Sequence, residues 1–429
     1  MIPSFRYSNA FDIPLFQHSN NPYLGCGRAA LKEGKMSIKD KVAIIGVGAT
    51  KFGENFEMTY QDMALEAVYE AYQDAGLDTK DMEAAWLGTL SPGLTGLEGD
   101  AGASLSEPLN FYPRPVTRVS AYCCSGMEAI RNAAFGVASG EYKMVLAVGV
   151  EKMREVPPRG SLVARHIHET HPLVSKGRTA PGIFAPIATR YFHQYGYGKQ
   201  TLAKVAVKNH FNGSLNPKAH FRSPINEETV LKAPMVVDPL GLFDCCPTTD
   251  GAAAVILTTP EIARDLKKDY ILIKGMGLAI TYGYFSMAFQ EDNDFLGFKS
   301  TREASAMAYR QAGIKNPRKE INVAEVHDCF TITELVNYED LGFCGRGEGG
   351  KLIEEGVTAL NGELPVNTSG GLKSCGHPVG ATGVRMVADV VTQMRGRAGK
   401  RQVKKADFGL THTLGGPGSI ACVFVLGRP

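Results

Sequence analysis

The order of apolar and polar positions along the chain predicts strands that alternate with helices. Val42–Gly46 is a continuous apolar run with the length of a buried strand, and Tyr60–Ala75 carries an apolar face at helical spacing. Thr59 and Asp62 have the spacing of a capping box before that helix. Further strands are predicted at Ala84–Leu87, Val116–Tyr122, Met144–Val148 and Ala252–Leu257. The alternation indicates an α/β sheet.

The second part of the chain repeats the first. A predicted helix, Arg302–Ala312, runs into Ala308–Ile314, which resembles Ala71–Leu77, and each is followed by a polar linker and a strand. In the second part that strand is predicted at Val323–Val326. A later helix and two closing strands are indicated by Val387, Val390, Val391, Met394, Phe408 and Ala421–Leu426. We therefore predict a duplicated α/β unit.

The rhythm of strands and helices is interrupted between Glu151 and about Pro234, where basic residues outnumber glutamates as far as Arg190. One interpretation is a solvated basic face, and the other is an inserted lobe that presents positive charge to a phosphorylated or carboxylated ligand. We place a first half at 36–265, with an inserted loop domain at about 154–236, and a second half at 266–429. Residues 1–35 are predicted to be an N-terminal arm, either packed on a partner subunit or an overextended start before Met36.

Composition narrows the class of protein only slightly. A hydrophobic content of 44% with 21% charged residues is ordinary for a globular chain, and a formal net charge of +2 gives no case for nucleic acid or an anionic membrane. No apolar run approaches the roughly 20 residues of a membrane helix. The 9 cysteines lack the usual metal spacing of two cysteines separated by two residues. We expect a reduced, cytoplasmic protein without structural zinc of its own.

Gly46–Val47–Gly48 begins like a dinucleotide-binding fingerprint. Lys51 stands where the third glycine is required, and no helix is predicted to start directly afterwards. We therefore reject nucleotide binding there and predict a plain turn at the end of the strand.

Cys123 and Cys124 lie where a predicted strand meets a predicted helix. A thiol at that junction lies beside unpaired backbone N–H groups and the positive end of the helix dipole, both of which favour the thiolate. Two small buried hydrophobic residues would fit the same pattern. This motif alone is therefore compatible with both a nucleophilic role and a packing role.

Two further motifs carry reactive side chains. His327–Phe330 follows the strand Val323–Val326, at the carboxyl edge where open α/β sheets keep their chemistry, and His377 lies in the glycine-rich stretch Gly370–Gly383. A cysteine with a histidine suggests acyl transfer through a thioester, and the second thiol, Cys329, adds proton transfer at carbon or sulfur. Taken singly, each histidine also fits a structural role.

These motifs together resemble those of thiolases, in particular the sterol-carrier-protein-type and archaeal-type branch. The match runs from about Met36 to the end of the chain and is carried by Cys123–Met127, Val205–His210, Asp244–Pro247, His327–Phe330, Cys375–Pro378, Gly380–Gly383 and His412–Gly418. The resemblance implies a thiolase fold, in which two βαβαβαββ halves form αβαβα layers and an inserted loop domain binds coenzyme A. It also implies that the protein is not a monomer, with a homodimer or a larger oligomer expected.

The resemblance assigns roles to the reactive groups. Cys123 aligns with the cysteine that becomes acylated, and His377 would take its proton and later activate the incoming thiol. Many thiolases keep their second catalytic cysteine where this chain has Thr413, and in the branch it resembles that acid/base role passes to Cys329. Cys124 is assigned to packing.

The resemblance also implies how negative charge on oxygen is held. His327 would bind a water that, with His377, stabilises the enolate oxygen. Backbone N–H groups of Cys123 and Gly415 would hold the thioester oxyanion. Coenzyme A would be a co-substrate, with no covalently bound cofactor and no metal in this chain. Contacts to coenzyme A are expected from Cys246, Arg159, Arg165 and Lys208.

The acyl substrate is less well defined by the sequence. Tyr122 with Tyr282, Tyr284, Phe285, Met287 and Phe289 forms an aromatic cluster that fits either ordinary core packing or a pocket for a bulky acyl chain. A pocket would favour an aromatic 3-oxoacyl-CoA such as benzoylsuccinyl-CoA, and acetoacetyl-CoA is the alternative. Relatives in this branch work with a small zinc-binding OB-fold partner chain, which we therefore expect here.

Two readings compete with a thiolase. A catalytically silent thiolase-like scaffold would bind acyl-CoA without cleaving it, although this chain keeps Cys123, Cys329 and His377. A decarboxylating ketoacyl synthase shares the fold but usually pairs one cysteine with His–His or His–Asn, so the second thiol argues against it.

Overall fold

The structure is a computed structural model that describes residues 37–90, 92, 101–156, 179–266, 269–281, 294–416 and 418–429. The predicted arm at 1–35, the predicted coenzyme A contacts Arg159 and Arg165, and the aromatic residues from Tyr282 to Phe289 lie outside these ranges. Within them, Ile38–Pro429 belongs to one compact unit.

Strands and helices alternate through the first half as predicted. The elements are β1 (Ala43–Ala49), α1 (Tyr60–Ala75), β2 (Ala84–Gly88), α2 (Ala101–Ser106), β3 (Val116–Val119), α3 (Ser125–Ala138) and β4 (Met144–Glu151). An insertion follows, with α4 (Ala180–Tyr195), α5 (Lys199–Ser214), α6 (Glu227–Lys232) and a small hairpin of β5 (Met235–Val237) and β6 (Leu240–Gly241). The first half closes with β7 (Gly251–Thr258) and α7 (Pro260–Leu266).

The second half uses the same succession. Its elements are β8 (Ile271–Ile280), α8 (Lys299–Ala312), α9 (Pro317–Glu320), β9 (Val323–Val326), α10 (Thr331–Asp340), α11 (Gly349–Glu354), α12 (Gly371–Ser374), α13 (Thr382–Met394), β10 (Phe408–Gly415) and β11 (Ile420–Gly427). Among the described residues, short 3₁₀ turns are found at Thr79–Asp81, Leu242–Asp244 and Gly399–Arg401.

The hydrogen-bonded strand order shows the duplication directly. The main sheet runs β3-β2-β4-β7-β1-β8-β11-β10-β9, and β1 meets β8 through two residue pairs, Ala43 with Leu272 and Ile44 with Ile271. The seam between the halves is the contact of β1 with β8, which are the first strands of the two halves. Moving outward from it, each half continues with its own fifth, fourth and second strands. The third strand of the second half is reduced to a parallel bridge between Ala324 and Val366. Two copies of one topology therefore join at their first strands.

Helices cover the two half-sheets on the outside and fill the space between them. Helix α1 packs on β1 and β7, and α8 packs on β8 and β11. Between the half-sheets lie α3 and α13, whose apolar faces share one buried cluster with strands of both halves. That cluster includes Met127, Ile130 and Val137 of α3 and Val384, Val387 and Val391 of α13. The result is the layered αβαβα arrangement expected from the sequence.

Helix α1 shows why the sequence pattern was informative. Its bounds coincide with the predicted Tyr60–Ala75. The Thr59 side chain accepts a hydrogen bond from Asp62 N at 3.1 Å, and Thr59 N donates to the Asp62 carboxylate at 2.8 Å, so the predicted capping box is confirmed. The helix then ends at Gly76, whose φ of 71° is left-handed.

The prediction of a turn at Gly46–Val47–Gly48 is wrong, because these residues lie inside β1. A Cβ atom on Gly48 would lie 2.2 Å from Ala67 O of α1, so the missing side chain lets helix and strand approach closely. The second half has the same close approach of helix and strand, since a Cβ on Gly277 of β8 would lie 1.9 Å from Ala304 O of α8. The motif is a packing feature of the duplicated unit.

Candidate active site

Cys123 lies in a tight turn between β3 and α3. The predicted strand Val116–Tyr122 ends earlier, at Val119, because the chain turns at Tyr122, which has a left-handed φ of 49°. Ser125 holds that turn: its hydroxyl accepts from Ala121 N at 2.9 Å and donates to Tyr122 O at 2.6 Å. A non-glycine residue in this conformation is strained, and such strain is concentrated at functional sites. The turn presents Cys123 at the start of α3.

Cys124 points the other way, into the interior. It is fully buried, and its thiol donates to Thr413 O at 3.4 Å on β10. Burial raises the pKa of Cys124 to about 12, so this thiol stays protonated. Cys124 therefore anchors the nucleophile turn to the terminal hairpin. Gly415 of the same hairpin lies against that turn, since a Cβ there would be 3.0 Å from Tyr122 Cβ.

The two halves meet tightly at the starts of α3 and α13. A Cβ on Gly126 would lie 2.5 Å from Gly380 O, and one on Gly380 would lie 2.5 Å from Val150 O and 2.6 Å from Gly88 O. The absence of side chains at these positions lets the Cys123 turn and the loop that carries His377 come together across the duplicated fold. This junction creates the site.

A buried carboxylate spans the same junction. Glu151, at the end of β4, accepts backbone hydrogen bonds from Leu90 at 2.8 Å and from Gly380 at 3.0 Å, and a third from the Thr89 hydroxyl at 3.3 Å. It is fully buried. The sequence analysis missed Glu151, although a charged residue that ends an otherwise apolar strand is a readable signal.

Three reactive groups converge at this junction. The Cys123 Sγ atom and one ring nitrogen from each of His327 and His377 lie within 4.8 Å of one another. The two imidazole rings are 5.3 Å apart between centroids and nearly perpendicular, at 82°. The structure thus brings together residues that are more than 200 positions apart in the sequence.

The tautomer of His377 follows from its neighbours. Its Nδ1 lies 2.7 Å from the Thr382 hydroxyl oxygen, and that hydroxyl donates its single proton to Pro378 O at 2.9 Å. Thr382 must therefore accept from an Nδ1–H, which leaves Nε2 as the unprotonated nitrogen. Burial, with a smaller contribution from the positive charge of Arg385, lowers the pKa of His377 to about 3. The ring is neutral at physiological pH and can accept a proton.

His327 is held at the end of β9 by its backbone. Its carbonyl accepts from the Asn337 amide at 3.0 Å, and its N–H points to His412 Nδ1 at 3.5 Å. Burial and the neighbouring His377 lower the pKa of His327 well below its usual value, so this ring is also neutral. Its Nδ1 is buried and has no hydrogen-bond partner within the described ranges.

Cys329 supplies the second thiol of the site. It is buried, and the nearby cysteines Cys246 and Cys123 add to the effect of burial in raising its pKa well above the usual value, so it is a thiol that can donate a proton. Cys246 is fixed beside it, because Cys246 N donates to Cys329 O at 2.9 Å. Cys246 therefore lies next to the reacting groups.

These residues border a cavity of about 120 Å³ whose walls are largely apolar. Cys123, Cys246, Cys329 and His377 line it, and so do Tyr122, Met153, Ile183, Phe184, Phe330 and Val379. Phe184 and Phe330 contact one another with ring centroids 4.8 Å apart and ring planes tilted by 30°. An apolar wall beside a thiol and a neutral imidazole excludes water from a thioester.

The assignment of Lys208 to coenzyme A binding requires correction. Lys208 is buried behind the site, where its ammonium pairs with Glu334 and donates to Val366 O at 3.0 Å. A lysine that is enclosed and neutralised in this way does not reach a phosphate in solution. Its neighbour Asn209 donates to both Asp328 at 2.8 Å and Glu334 at 2.7 Å, so this motif supports the His327–Phe330 segment.

Family comparisons agree with this arrangement. The model of the thiolase N-terminal domain matches residues 42–261, and that of the thiolase C-terminal domain-like family matches residues 283–428. The chain belongs to the thiolase superfamily.

Individual relatives indicate the branch. The chain is 40% identical over 388 residues to an acetyl-CoA acetyltransferase of Methanothermobacter thermautotrophicus, covering 90% of this chain and 99% of that protein. It is 32% identical to sterol carrier protein 2 of Oryctolagus cuniculus, over 92% of this chain and 74% of that protein. The chain is thus a thiolase-type acyltransferase of the sterol-carrier and archaeal branch, which uses coenzyme A as co-substrate.

Solved structures show the same fold. An Ltp2–ChsH2(DUF35) aldolase aligns with a TM-score of 0.76 and 26% identity, over 92% of this chain and 99% of that one. Acat5 thiolase from Ascaris suum, in complex with coenzyme A, aligns with a TM-score of 0.66 and 17% identity, over 91% and 100% of the two chains. The thiolase fold is confirmed. In the described ranges, no helix combines the length and the apolar character needed to cross a membrane.

Proposed function

We propose that this chain cleaves a 3-oxoacyl-CoA by thiolysis and that its acyl group is aromatic, with benzoylsuccinyl-CoA giving benzoyl-CoA and succinyl-CoA. The observation that carries the proposal is the convergence of Cys123 Sγ and a ring nitrogen of each of His327 and His377 within 4.8 Å, beside an apolar cavity that Cys123, Cys329 and His377 line. The adjoining rings of Phe184 and Phe330 and the exposed ring of Tyr122 offer aromatic surfaces for a phenyl group.

The residues have complementary tasks in this reaction. His377 Nε2 takes the Cys123 proton, and the thiolate attacks the 3-oxo carbonyl carbon. The Cα–Cβ bond breaks, its electron pair forms an enolate, and the Cys329 thiol protonates Cα, which releases succinyl-CoA. His377 passes the proton it took from Cys123 to the Cys329 thiolate and then takes the proton of free coenzyme A. The coenzyme A sulfur attacks the Cys123 thioester, benzoyl-CoA leaves, and His377 returns the proton to the Cys123 sulfur.

The reaction places negative charge on an oxygen atom at two steps, and each step needs hydrogen-bond donors. We assign the thioester oxyanion to the backbone N–H groups of Cys123 and Gly415, which lie on the adjoining nucleophile turn and terminal hairpin. We assign the enolate oxygen to a water held by His327, whose buried Nδ1 lacks a partner in the described part of the chain, together with His377.

Coenzyme A is proposed to reach the site past Cys246, which lines the cavity. Arg159 and Arg165 remain predicted ligands of the coenzyme A phosphates. Lys208 is no longer proposed as one, because it is buried and paired with Glu334. A homodimer or larger oligomer, a small zinc-binding OB-fold partner and a cytoplasmic location remain predictions. The structural neighbour whose name includes a DUF35 chain supports a partner subunit.

Acetoacetyl-CoA is the second candidate substrate, favoured by the archaeal relative named acetyl-CoA acetyltransferase. The two candidates are separated by assaying purified protein, with and without its genomic neighbour, on benzoylsuccinyl-CoA and acetoacetyl-CoA. We expect turnover of the aromatic substrate. Turnover restricted to acetoacetyl-CoA would discard the aromatic assignment and leave the thiolase mechanism intact.

Three cysteine variants test the mechanism in the same assay. Cys123→Ala should abolish both turnover and the acyl-enzyme seen by intact mass spectrometry. Cys329→Ala should still be acylated at Cys123 by benzoyl-CoA, while kcat falls by roughly 10²- to 10⁴-fold because the proton source at Cα is lost. Cys344→Ala is the matched control, because Cys344 is a free cysteine that does not line the cavity, and it should retain kcat within a few-fold. Full thiolysis by Cys123→Ala would revive the non-catalytic scaffold, and unchanged turnover by Cys329→Ala would refute its role.

A further inference from the structure

The reacting cluster of the active site has the composition of a metal site as well as that of a catalytic one. The Cys123 sulfur and one ring nitrogen from each of His327 and His377 lie within 4.8 Å of one another. No other group of three Cys, His, Asp or Glu side chains is placed so as to hold a metal ion in the part of the chain that the structure describes. Tetrahedral zinc brings sulfur and nitrogen ligands to about 3.5 Å from one another, so a closure of at most about 1.5 Å completes the site.

Both imidazoles can present a lone pair to a cation. Thr382 accepts from His377 Nδ1–H at 2.7 Å, which leaves the Nε2 lone pair of His377 for a ligand. The Thr382 hydroxyl donates in turn to Pro378 O at 2.9 Å, so the ring is fixed through its second nitrogen, as is usual for metal-binding histidines. His327 Nδ1 is buried and has no hydrogen-bond partner within the described ranges, so no bond at Nδ1 holds this ring in one tautomer. The cluster therefore offers one sulfur and two nitrogen donors.

The donor atoms select the kind of cation. Sulfur and imidazole nitrogen suit Zn²⁺, Co²⁺ and Cu²⁺, whereas Mg²⁺ and Ca²⁺ prefer oxygen ligands. Asp328 follows His327 in the sequence, but its carboxylate is bound elsewhere. It accepts from Leu372 N at 2.7 Å and from the Asn209 amide at 2.8 Å. A thiophilic divalent cation is therefore the ligand that fits this donor set.

A cation can reach the cluster from the cavity. Cys123 and His377 line this cavity of about 120 Å³, and Cys123 is only partly buried. His327, which is 1% exposed, is not among the lining residues and completes the site from the interior. The cation would have three protein ligands and a fourth position on the cavity side that is open to water, the same count as in zinc sites that keep an open position.

We propose that Cys123, His327 and His377 form a reversible inhibitory site for a thiophilic divalent cation, with Zn²⁺ as the representative. On binding, the Cys123 S–H bond breaks, a sulfur–zinc bond forms and the proton passes to solvent, with no change of oxidation state. The cation occupies the lone pairs of the thiolate and of His377 Nε2, so the nucleophile and its base are both withdrawn from catalysis. The cation is an inhibitor and not a cofactor, and its binding depends on the geometry of the cluster and not on the identity of the acyl substrate.

Protection of Cys123 from alkylation measures occupancy of the site without any turnover. Purified wild-type protein is treated with iodoacetamide at buffered free Zn²⁺, and the modified peptides are quantified by mass spectrometry. We expect about 10 µM Zn²⁺ to slow alkylation of Cys123 at least about tenfold, EDTA to restore it, and Mg²⁺ at an about hundredfold higher concentration to have no effect. Cys344, a free cysteine that does not line the cavity, is the internal control, and its alkylation should not change.

Two variants separate this site from binding at other thiols. His327→Ala keeps Cys123 and His377 but removes one ligand, so the Zn²⁺ concentration that gives half-maximal protection should rise at least about tenfold. The ratio of alkylation rates with and without Zn²⁺ in one variant corrects for any change in the reactivity of the thiol. Cys245→Ala is the matched control, because Cys245 lines the same cavity but lies outside the cluster, and it should leave that concentration unchanged. His327→Asn gives the same comparison if the alanine variant has a lowered thermal unfolding midpoint.

Co²⁺ reports the ligand set directly. Wild-type protein should show the near-ultraviolet charge-transfer band of a thiolate–Co²⁺ bond, and Cys123→Ala should lose it. Four results would overturn the inference: no charge-transfer band in wild type, an unprotected Cys123, equal half-maximal concentrations in wild type and the His327 variants, or loss of protection in Cys245→Ala. None of them depends on which 3-oxoacyl-CoA is cleaved, so the substrate assays decide the proposed function separately.

Discussion

At the scale of single residues, the site depends on side chains that do not line the cavity. Ser125 fixes the left-handed Tyr122 turn, and Thr382 selects the tautomer of His377. Each is a small hydroxyl residue with one proton to give, and each therefore determines the direction of a neighbouring hydrogen bond. The nucleophile and its base are oriented by these two hydroxyls.

Thr382 can be tested with two conservative variants. Thr382→Val keeps the shape and removes the acceptor for Nδ1–H, so the unprotonated nitrogen of His377 is no longer fixed toward Cys123. We expect kcat for thiolysis of benzoylsuccinyl-CoA, the proposed substrate, to fall by about 10- to 100-fold. We also expect the pH dependence of Cys123 alkylation to change, and Thr382→Ser to restore both. A valine variant with wild-type kcat and alkylation profile would contradict the tautomer assignment.

The buried lysines show that the sequence alone does not reveal which charges are paired in the fold. Lys208 and Lys373 look alike in the sequence, and only the fold shows that Lys208 is paired with Glu334 while Lys373 has no such partner among the described residues. Charge neutralisation depends on long-range contacts, here between positions 208 and 334, which no local pattern encodes. Cys123, His327, Cys329 and His377 were identifiable because each motif is local, although their convergence is not.

At the scale of elements, local signals predicted helices better than the ends of functional turns. The α1 helix was predicted to its last residue, because its cap and apolar face lie within its own sequence. The strand before Cys123 was predicted three residues too long, because the turn at Tyr122 is imposed by Ser125 and the terminal hairpin. Tertiary contacts overrode a favourable β pattern there.

The glycine pairs of β1 and β8 give a prediction for both halves. Gly48→Ala and Gly277→Ala would each force a strand away from its outer helix, since the new Cβ would lie 2.2 Å and 1.9 Å from carbonyl oxygens of α1 and α8. We expect each to lower the free energy of unfolding by about 1–3 kcal/mol. Gly53→Ala is the control: the nearest atom to its Cβ is 3.8 Å away, and a change within about 0.5 kcal/mol is expected. Equal denaturation midpoints for all three variants would argue against the packing role.

At the scale of the whole molecule, the fold places several ionisable groups in the interior. Burial lowers the pKa of His210 to about 4 and those of His377 and His412 to about 3, and it also lowers those of His220 and His327. Burial acts in the other direction on acids, raising the pKa of Asp328 to about 7, that of Asp340 to about 6, and that of Glu339. The two sets oppose each other as the pH falls.

The sign of the balance follows from proton binding. Below the ordinary histidine pKa of about 6.5, these histidines are protonated in the unfolded chain but stay neutral in the folded protein. Their contribution therefore lowers the free energy of unfolding as the pH falls from 6.5 toward 4. The raised carboxyls bind protons first in the folded state and add stability over the same interval. With five histidines against three acids among the described residues, the histidines dominate.

We therefore predict that acidification from pH 7 to pH 5 destabilises the protein. A histidine that stays neutral in the folded protein while the unfolded chain is protonated contributes about 1.4 kcal/mol per pH unit, so the free energy of unfolding should fall as the pH falls. Urea denaturation followed by fluorescence of the single tryptophan, Trp86, measures this slope. His210 is not one of the reacting groups, so His210→Gln tests the argument without removing a proposed catalytic side chain. It should reduce the slope by about 1.4 kcal/mol per pH unit. A midpoint that stays level or rises on acidification would mean that the buried carboxyls outweigh the histidines, because no other groups with resolved shifts titrate in that interval with the required sign.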